Sequence, residues 1–420
     1  MPDKEERRQR SEKAAKAEGK RRAAKAREKK TGGKADLEIY FDNSATTKPS
    51  EGVIRVMTET LEEDFGNPSS MHFAGVNAEK HIRAARCAAA AALKADEREI
   101  FFTSGGTEAN NIALFGTTRF YRRTGGHIIT SKIEHPSVLE AVKELKKEGF
   151  DVTFLPTDEN GIVSVEALRN AVRDDTVIVS VMHVNNEVGS VQDIAALSRA
   201  AKEKNPKTLF HVDATQSFGK YAIRPKKAGI DLLTASAHKI HGPKGAGLLF
   251  VKDKTKIKPV TYGGGQERGL RSGTENVSGI AGFGQAITEA YECLDENRAA
   301  MGALKDYFID RVSEIDGAVL NSKGGADSAP HIVNVSFPGI RSEVLLHALE
   351  SEGICVSAGS ACSSNKPAPS ETLKSMGLGK ERIESALRFS FSHENTMDEI
   401  DFCVEKLKEI VPVLGAYRRH

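Results

Sequence analysis

The chain has 420 residues, of which 39% are hydrophobic and 28% charged, with a net charge of +2. This is the composition of an ordinary globular protein, and the length is too great for one simple core, so two domains are expected. No run approaches the about 18 consecutive apolar residues of a membrane span, and five cysteines without zinc-type spacing point to reduced thiols rather than a disulfide framework.

Residues 1–36 are mostly Lys, Arg, Glu and Ala. The first 34 hold 14 Lys/Arg against 6 Asp/Glu, so the near-neutral total hides a basic tail on an acidic body. With almost nothing apolar to bury, this stretch is expected to be a solvated tail, ahead of a nucleic-acid-binding arm. It lacks the apolar stretch of a signal peptide, and its acidic residues argue against a transit peptide; a cytoplasmic location follows as an expectation.

Leu37–Phe41 reads as a short strand entering the polar turn Asp42-Asn43-Ser44-Ala45-Thr46-Thr47, whose hydroxyls and amide either face a ligand or cap a helix. A loop at residues 65–70 precedes a helix from about Ala74 to Leu93, whose alanine-rich end calls for close packing. Ile100-Phe101-Phe102-Thr103 is a strand that ends at Ser104-Gly105-Gly106, with a helix from Thr107 or just after. Free N–H groups at that helix start, with the Thr107 hydroxyl, make an anion cradle. The pattern is neither a Walker loop nor G-x-G-x-x-G, which disfavours a nucleotide.

Strands and helices then alternate: strands at 127–132, 151–156, 177–182 and 209–213, helices to about Glu148 and over about 165–172 and 194–204. Continuous apolar strands separated by amphipathic helices predict a mainly parallel α/β sheet covered on both faces. Ligands sit beyond the carboxyl ends of strands in such sheets. Thr107, His135, Asn186, Asp213, Gln216 and Lys239 all fall just past strand ends. Taken singly, Asp213 is as readily a helix cap, and His135 a loop histidine.

Lys239 lies in Ser236-Ala237-His238-Lys239-Ile240-His241-Gly242, between the apolar runs 232–235 and 246–251. A lone loop lysine is ordinarily a surface lysine. Here a serine and a histidine stand beside it, and glycines at 242, 245 and 247 allow backbone to approach a ligand closely. That is the setting a Schiff-base lysine needs: a confined amine with small donors nearby for an anion.

The loop Tyr262–Asn276 carries five glycines and two arginines, which suits anion binding or a reach across a subunit boundary. Helices over about 280–297 and to about 315 lead into a smaller α+β layer. Its strands are expected at 332–337 and 388–392, with helices at 342–351 and about 397–414. Cys355 falls on an apolar strand and is expected to be an inert core thiol. Cys362 lies among small, polar and proline residues, a setting that suits a nucleophile which must travel.

Taken together, Asp42–Thr47, Thr103-Ser104-Gly105-Gly106-Thr107-Glu108, Glu134-His135, His183–Glu187, Val212–Gln216, Ser236–Lys239, the Gly263–Thr274 loop, Gly359–Ser363 and Arg388-Phe389-Ser390 resemble a cysteine desulfurase of the class V aminotransferase group, in the subgroup with the longer cysteine-bearing loop. The resemblance spans about residues 38–415.

The resemblance implies an α/β fold, the fold-type I arrangement of pyridoxal 5'-phosphate enzymes. A mainly parallel seven-stranded sheet would form a large cofactor-binding domain (51–294), with a small α+β domain from 37–50 and 295–420. It further implies a homodimer with the site between subunits, acting on L-cysteine and passing sulfur to an iron–sulfur scaffold or another acceptor protein. Lys239 would hold the cofactor and move the substrate Cα proton. Asp213 would pair with the ring nitrogen, His135 stack on the ring, and Gln216 contact the ring hydroxyl. Gly106, Thr107, Ser236 and His238 would surround the phosphate, with Thr274 arriving from the partner subunit. Asn43, Asn186 and Arg388 would bind substrate, and Cys362 would take the sulfur as a persulfide. No metal is implied. A selenocysteine lyase or another enzyme of the same group is the nearest alternative, and a non-catalytic scaffold that keeps the fold is the one from another class.

Overall fold

The computed structural model describes residues 39–325, 328–358 and 369–416, and its first element is the two-residue strand β1 (Ile39–Tyr40). The main sheet is built from β2 (Ile100–Thr103), β3 (His127–Ser131), β4 (Asp151–Leu155), β5 (Thr176–Met182), β6 (Leu209–Asp213), β7 (Leu232–Ser236) and β8 (Gly247–Val251). Their order is β2-β8-β7-β6-β5-β3-β4. Neighbours from β7 through to β4 run parallel, whereas β8 is antiparallel to both β7 and β2. All residues of β3, β5, β7 and β8 are buried, which is why these strands are rich in Val, Ile and Leu on both faces rather than alternating.

The helices start where side chains satisfy their first N–H groups. Ser50 Oγ accepts from Val53 N at 3.1 Å and opens a helix over Glu51–Glu62 that was not among the expected elements. The Phe73–Leu93 helix packs against Val277–Glu292 at very short range: a Cβ on Gly284 would lie 2.7 Å from Cβ of Ala85. The alanine-rich face expected to need close packing meets a glycine there. Phe283 on that second helix makes edge contacts with Phe102 and Phe218. Burial of each such ring stabilises the fold by about 1.5–3 kcal/mol.

A second, antiparallel sheet has the order β12-β13-β10-β9, with β9 at Val319–Leu320, β10 at Ile332–Ser336, β12 at Ser357–Ala358 and β13 at Ala386–Ser390. The helix Met397–Ala416 buries Ile400, Cys403, Val404, Leu407 and Val411, a single stripe at helical spacing. Cys355, on the strand β11 (Ile354–Cys355), is only half-buried, so it is not the core thiol its apolar neighbours suggested. That description belongs to Cys403, whose pKa is raised by burial. Cys362 lies outside the described residues.

One short strap joins the second sheet to the turn after β7. Ser44 N donates to Ser390 Oγ at 2.8 Å and Thr47 N to the carbonyl of His238 at 2.8 Å. Asp42 forms a β-bridge with Ser390.

Candidate active site

The parallel strands end on one edge of the sheet, and the loops beyond them enclose a cavity of about 340 Å³. Of the residues singled out from the sequence, Gly106, Thr107, His135, Asn186, Asp213, Gln216, Ser236, His238, Lys239 and Arg388 line it. Two others do not. Asn43 lines an adjoining cavity, and its amide nitrogen donates to Tyr40 O, Ser390 O and Asn395 Oδ1. Thr274 is exposed on the surface of this subunit.

Lys239 closes the short 3-10 turn Ala237–Lys239 that follows β7. Its Nζ donates to the carbonyls of Ser44 at 2.6 Å and Ala45 at 2.7 Å, so the strap aims the amine. The loop after β2 passes close to the start of β8, which is why that strand begins with glycine: a Cβ on Gly247 would lie 2.6 Å from Cα of Gly105. His238, beside the lysine, has its pKa lowered to about 4 by burial first and by the Lys239 charge second, and is neutral near pH 7.

Asp213 is the last residue of β6 and is buried. Its Oδ2 accepts from Asn110 Nδ2 at 2.8 Å and its Oδ1 from Thr215 N at 2.9 Å, which satisfies the carboxylate within the protein. His135 is the N-cap of the Pro136–Lys147 helix, and its Nδ1 accepts from Ser137 N at 3.1 Å. Burial lowers its pKa, while Asp213 works in the other direction. Glu134, next to it, is pushed up to about 8 by burial, and its Oε1 accepts from Ser131 Oγ and from Met182 N at 3.0 Å.

Arg388 on β13 is almost fully buried. Its Nη2 pairs with Asp42 Oδ1 at 2.7 Å and its Nη1 donates to the carbonyl of Asn186 at 2.9 Å, leaving a buried Nε without a partner among the described residues. Gln216 Nε2 donates to the carbonyl of Ser44 at 2.9 Å, a contact that anchors the strap from a second side.

Ser44, Ala45, Asn110, Ser137 and Thr215 also line the cavity and had not been assigned a part. Asn110 was within reach, because it lies three residues beyond Thr107 on one helix and so shares its face. Ser44 and Ala45 act through backbone carbonyls, which leave no mark on residue type.

The site's chemistry is that of a half-buried amine facing a buried carboxylate and a neutral histidine. The hydroxyls of Thr107 and Ser236 have no hydrogen-bond partner among the described residues. A flat, heteroaromatic ligand with an anionic substituent suits such a cavity.

Comparison with known proteins agrees with this geometry. The family model for aminotransferase class V matches residues 39–402. The chain is 44% identical over 376 residues to the cysteine desulfurase IscS of Clostridium botulinum, covering 89% of this chain and 94% of that one. It is 43% identical over 394 residues to the cysteine desulfurase IscS of Pseudomonas entomophila, covering 91% and 96%. Among solved structures, a NifS-like protein superimposes with a TM-score of 0.85 at 38% identity, covering 90% of this chain and 100% of that one. The NifS-like protein from Rickettsia africae gives 0.80 at 31% identity, covering 89% and 99%. The chain belongs to the class V aminotransferase family, among its cysteine desulfurases.

Proposed function

We propose that this protein is a pyridoxal 5'-phosphate-dependent cysteine desulfurase that converts L-cysteine to L-alanine and passes the sulfur to Cys362. The observation that carries the reading is the convergence of Lys239, Asp213 and His135, from three separate strand ends, on one cavity. The residues fit the cofactor: Asp213 offers a buried carboxylate to a ring nitrogen, and Thr107, Ser236 and His238 offer donors to a phosphate. When bound, the cofactor supplies an electron sink for the carbon that loses its proton.

The chain's own residues do the rest. Lys239 would hold the cofactor, and its amine would move the substrate Cα proton. The Arg388 guanidinium and Asn186 bind the substrate carboxylate; a guanidinium matches it with two parallel hydrogen bonds. The Cys362 thiolate attacks the substrate sulfur, forming an S–S bond as the C–S bond breaks with its electron pair going to carbon. A proton then completes alanine. Gln216 and Asn43 steady the strap that aims Lys239.

The active form is proposed to be a homodimer, in which Thr274 of each subunit reaches the other's site. Its exposure here supports that reading. The sulfur acceptor is proposed to be an iron–sulfur scaffold or another thiol-bearing protein of the cytoplasm. Among the described residues no helix is long and apolar enough to cross a membrane. The test is to supply the pure protein with pyridoxal phosphate and L-cysteine, then follow alanine and protein-bound persulfide. Alanine and persulfide in equal amounts in the first turnover support the assignment. Release of sulfide with no persulfide on Cys362 would sink it.

A further inference from the structure

A chain of hydrogen bonds runs from Asp213 to His135. Asn110 Nδ2 donates to Asp213 Oδ2 at 2.8 Å and also to Ser137 Oγ at 2.8 Å. Ser137 Oγ lies 2.8 Å from His135 Nδ1, which also accepts from the backbone N–H of Ser137. We infer that Asn110 and Ser137 are positioning residues that hold His135 neutral, with its one proton on Nε2, and tie its orientation to the carboxylate of Asp213.

The direction of every bond follows from the carboxylate. An ionised carboxylate only accepts, so the Asn110 amide must turn its NH2 group toward Asp213. The second amide hydrogen then points at Ser137 Oγ. With that oxygen accepting, the hydroxyl hydrogen goes to His135 Nδ1. Two donors now face Nδ1, which leaves it no room for a proton of its own. The alternative amide orientation would set an oxygen against the carboxylate.

The arrangement has a cost that a purely structural asparagine would not carry. Asn110 Oδ1 is buried and has no partner among the described residues, so the two donations are kept at the expense of one unsatisfied acceptor. Other charged or titratable groups facing the ring are Asp213, Lys239 and His238. Burial already lowers the His135 pKa, and the bonds at Nδ1 act in the same direction. His135 therefore meets a ligand in the cavity as an Nε2–H donor. It takes a second proton only when the Ser137 bonds break.

This inference rests on the cofactor reading only for what the ring faces. The test is nitrogen NMR on protein labelled at the histidine rings, with and without pyridoxal phosphate, the His135 signal being identified by its loss in His135→Gln. In the wild type, Nδ1 is expected to be bare and Nε2 protonated between about pH 6 and pH 8. Ser137→Ala should raise the pH at which the ring gains its second proton, by on the order of half a unit to one unit. Ser137→Thr keeps the hydroxyl and should restore the wild-type titration, and Asn110→Ala should shift it part of the way. A wild-type signal with the proton on Nδ1, or one titration curve shared by wild type and Ser137→Ala, would overturn the inference. The wild-type spectrum decides the tautomer even if a variant fails to fold. Absence of a borohydride-reducible link between cofactor and Lys239 would overturn the proposed function while leaving the tautomer measurement intact.

Discussion

Lys220 Nζ donates to the carbonyl oxygen of Lys239 at 2.8 Å, so a buried lysine braces the backbone of a half-buried one. Burial first, and the Lys239 charge second, lower the Lys220 pKa to about 7. Because an unfolded lysine titrates near about 10.4, the unfolded chain holds a proton that the folded one lacks between those two values. Stability from this group therefore rises as pH increases through that window, and is lowest below it. In Lys220→Met that slope should vanish. Denaturant midpoints from about pH 7 to pH 10 check this, with a change on the order of a few kcal/mol expected between variant and wild type. Parallel curves would mean that Lys220 does not titrate in the fold.

Lys239→Ala should bind pyridoxal phosphate weakly and only without a covalent bond. The Ser44 and Ala45 carbonyls would lose their donor, and turnover should fall by at least about a thousandfold. Absorbance near about 400 nm, followed by borohydride treatment and mass measurement, reads the covalent link directly. A reducible link in the variant would place the cofactor on another lysine.

Arg388→Lys should raise KM for L-cysteine by about tenfold or more, about 1.4 kcal/mol, because a single ammonium cannot give the paired bonds of a guanidinium. The cofactor spectrum should not change. Asp42→Asn should move KM the other way, since Asp42 holds Arg388 Nη2 at 2.7 Å and competes with the substrate carboxylate. Steady-state kinetics on both variants check the pair. A KM unmoved in Arg388→Lys would assign carboxylate binding elsewhere.

Cys362→Ala or Cys362→Ser should leave cofactor colour intact and stop both alanine formation and persulfide labelling. Cys355→Ser, on a half-buried strand, should cost about 1 kcal/mol or less and leave the chemistry alone. If Cys362→Ala still makes alanine at a near wild-type rate, the enzyme is a lyase that needs no protein nucleophile.

The sheet was legible because its central strands are mostly apolar and end in polar loops. Thr176–Met182 and Leu209–Asp213 could hardly be read otherwise. The reversal of β8 was open to inspection too. Only ten residues separate it from β7, fewer than a parallel crossover needs, so antiparallel pairing was the one solution. The helix Glu51–Glu62 was legible but missed: Val53, Val56, Met57 and Thr60 recur at helical spacing and Ser50 with a following Glu is a start signal, although only Val53 and Thr60 end up buried. Within the site, ten of the residues that line the cavity were singled out by type and place, while Asn110, Ser137 and Thr215 were passed over. The contacts that aim them were not found: two backbone carbonyls hold Lys239, and an asparagine holds Asp213 through a bond that joins residues 103 apart. Sequence separation hides such pairs.

The strap from Asp42 to Thr47 has a consequence in time. Its contacts with His238 and Lys239 span under 200 residues, whereas the pair it makes with Arg388 spans 346. During synthesis, Gln216 and Lys239 can meet the strap while more than a hundred residues ahead of Arg388 are still to be added, so the arginine reaches it later. A nascent chain thus assembles its amine end well before its carboxylate end. With the proposed roles, a chain released before Arg388 is made would keep the strap's hold on Lys239 and lack its pair with the arginine.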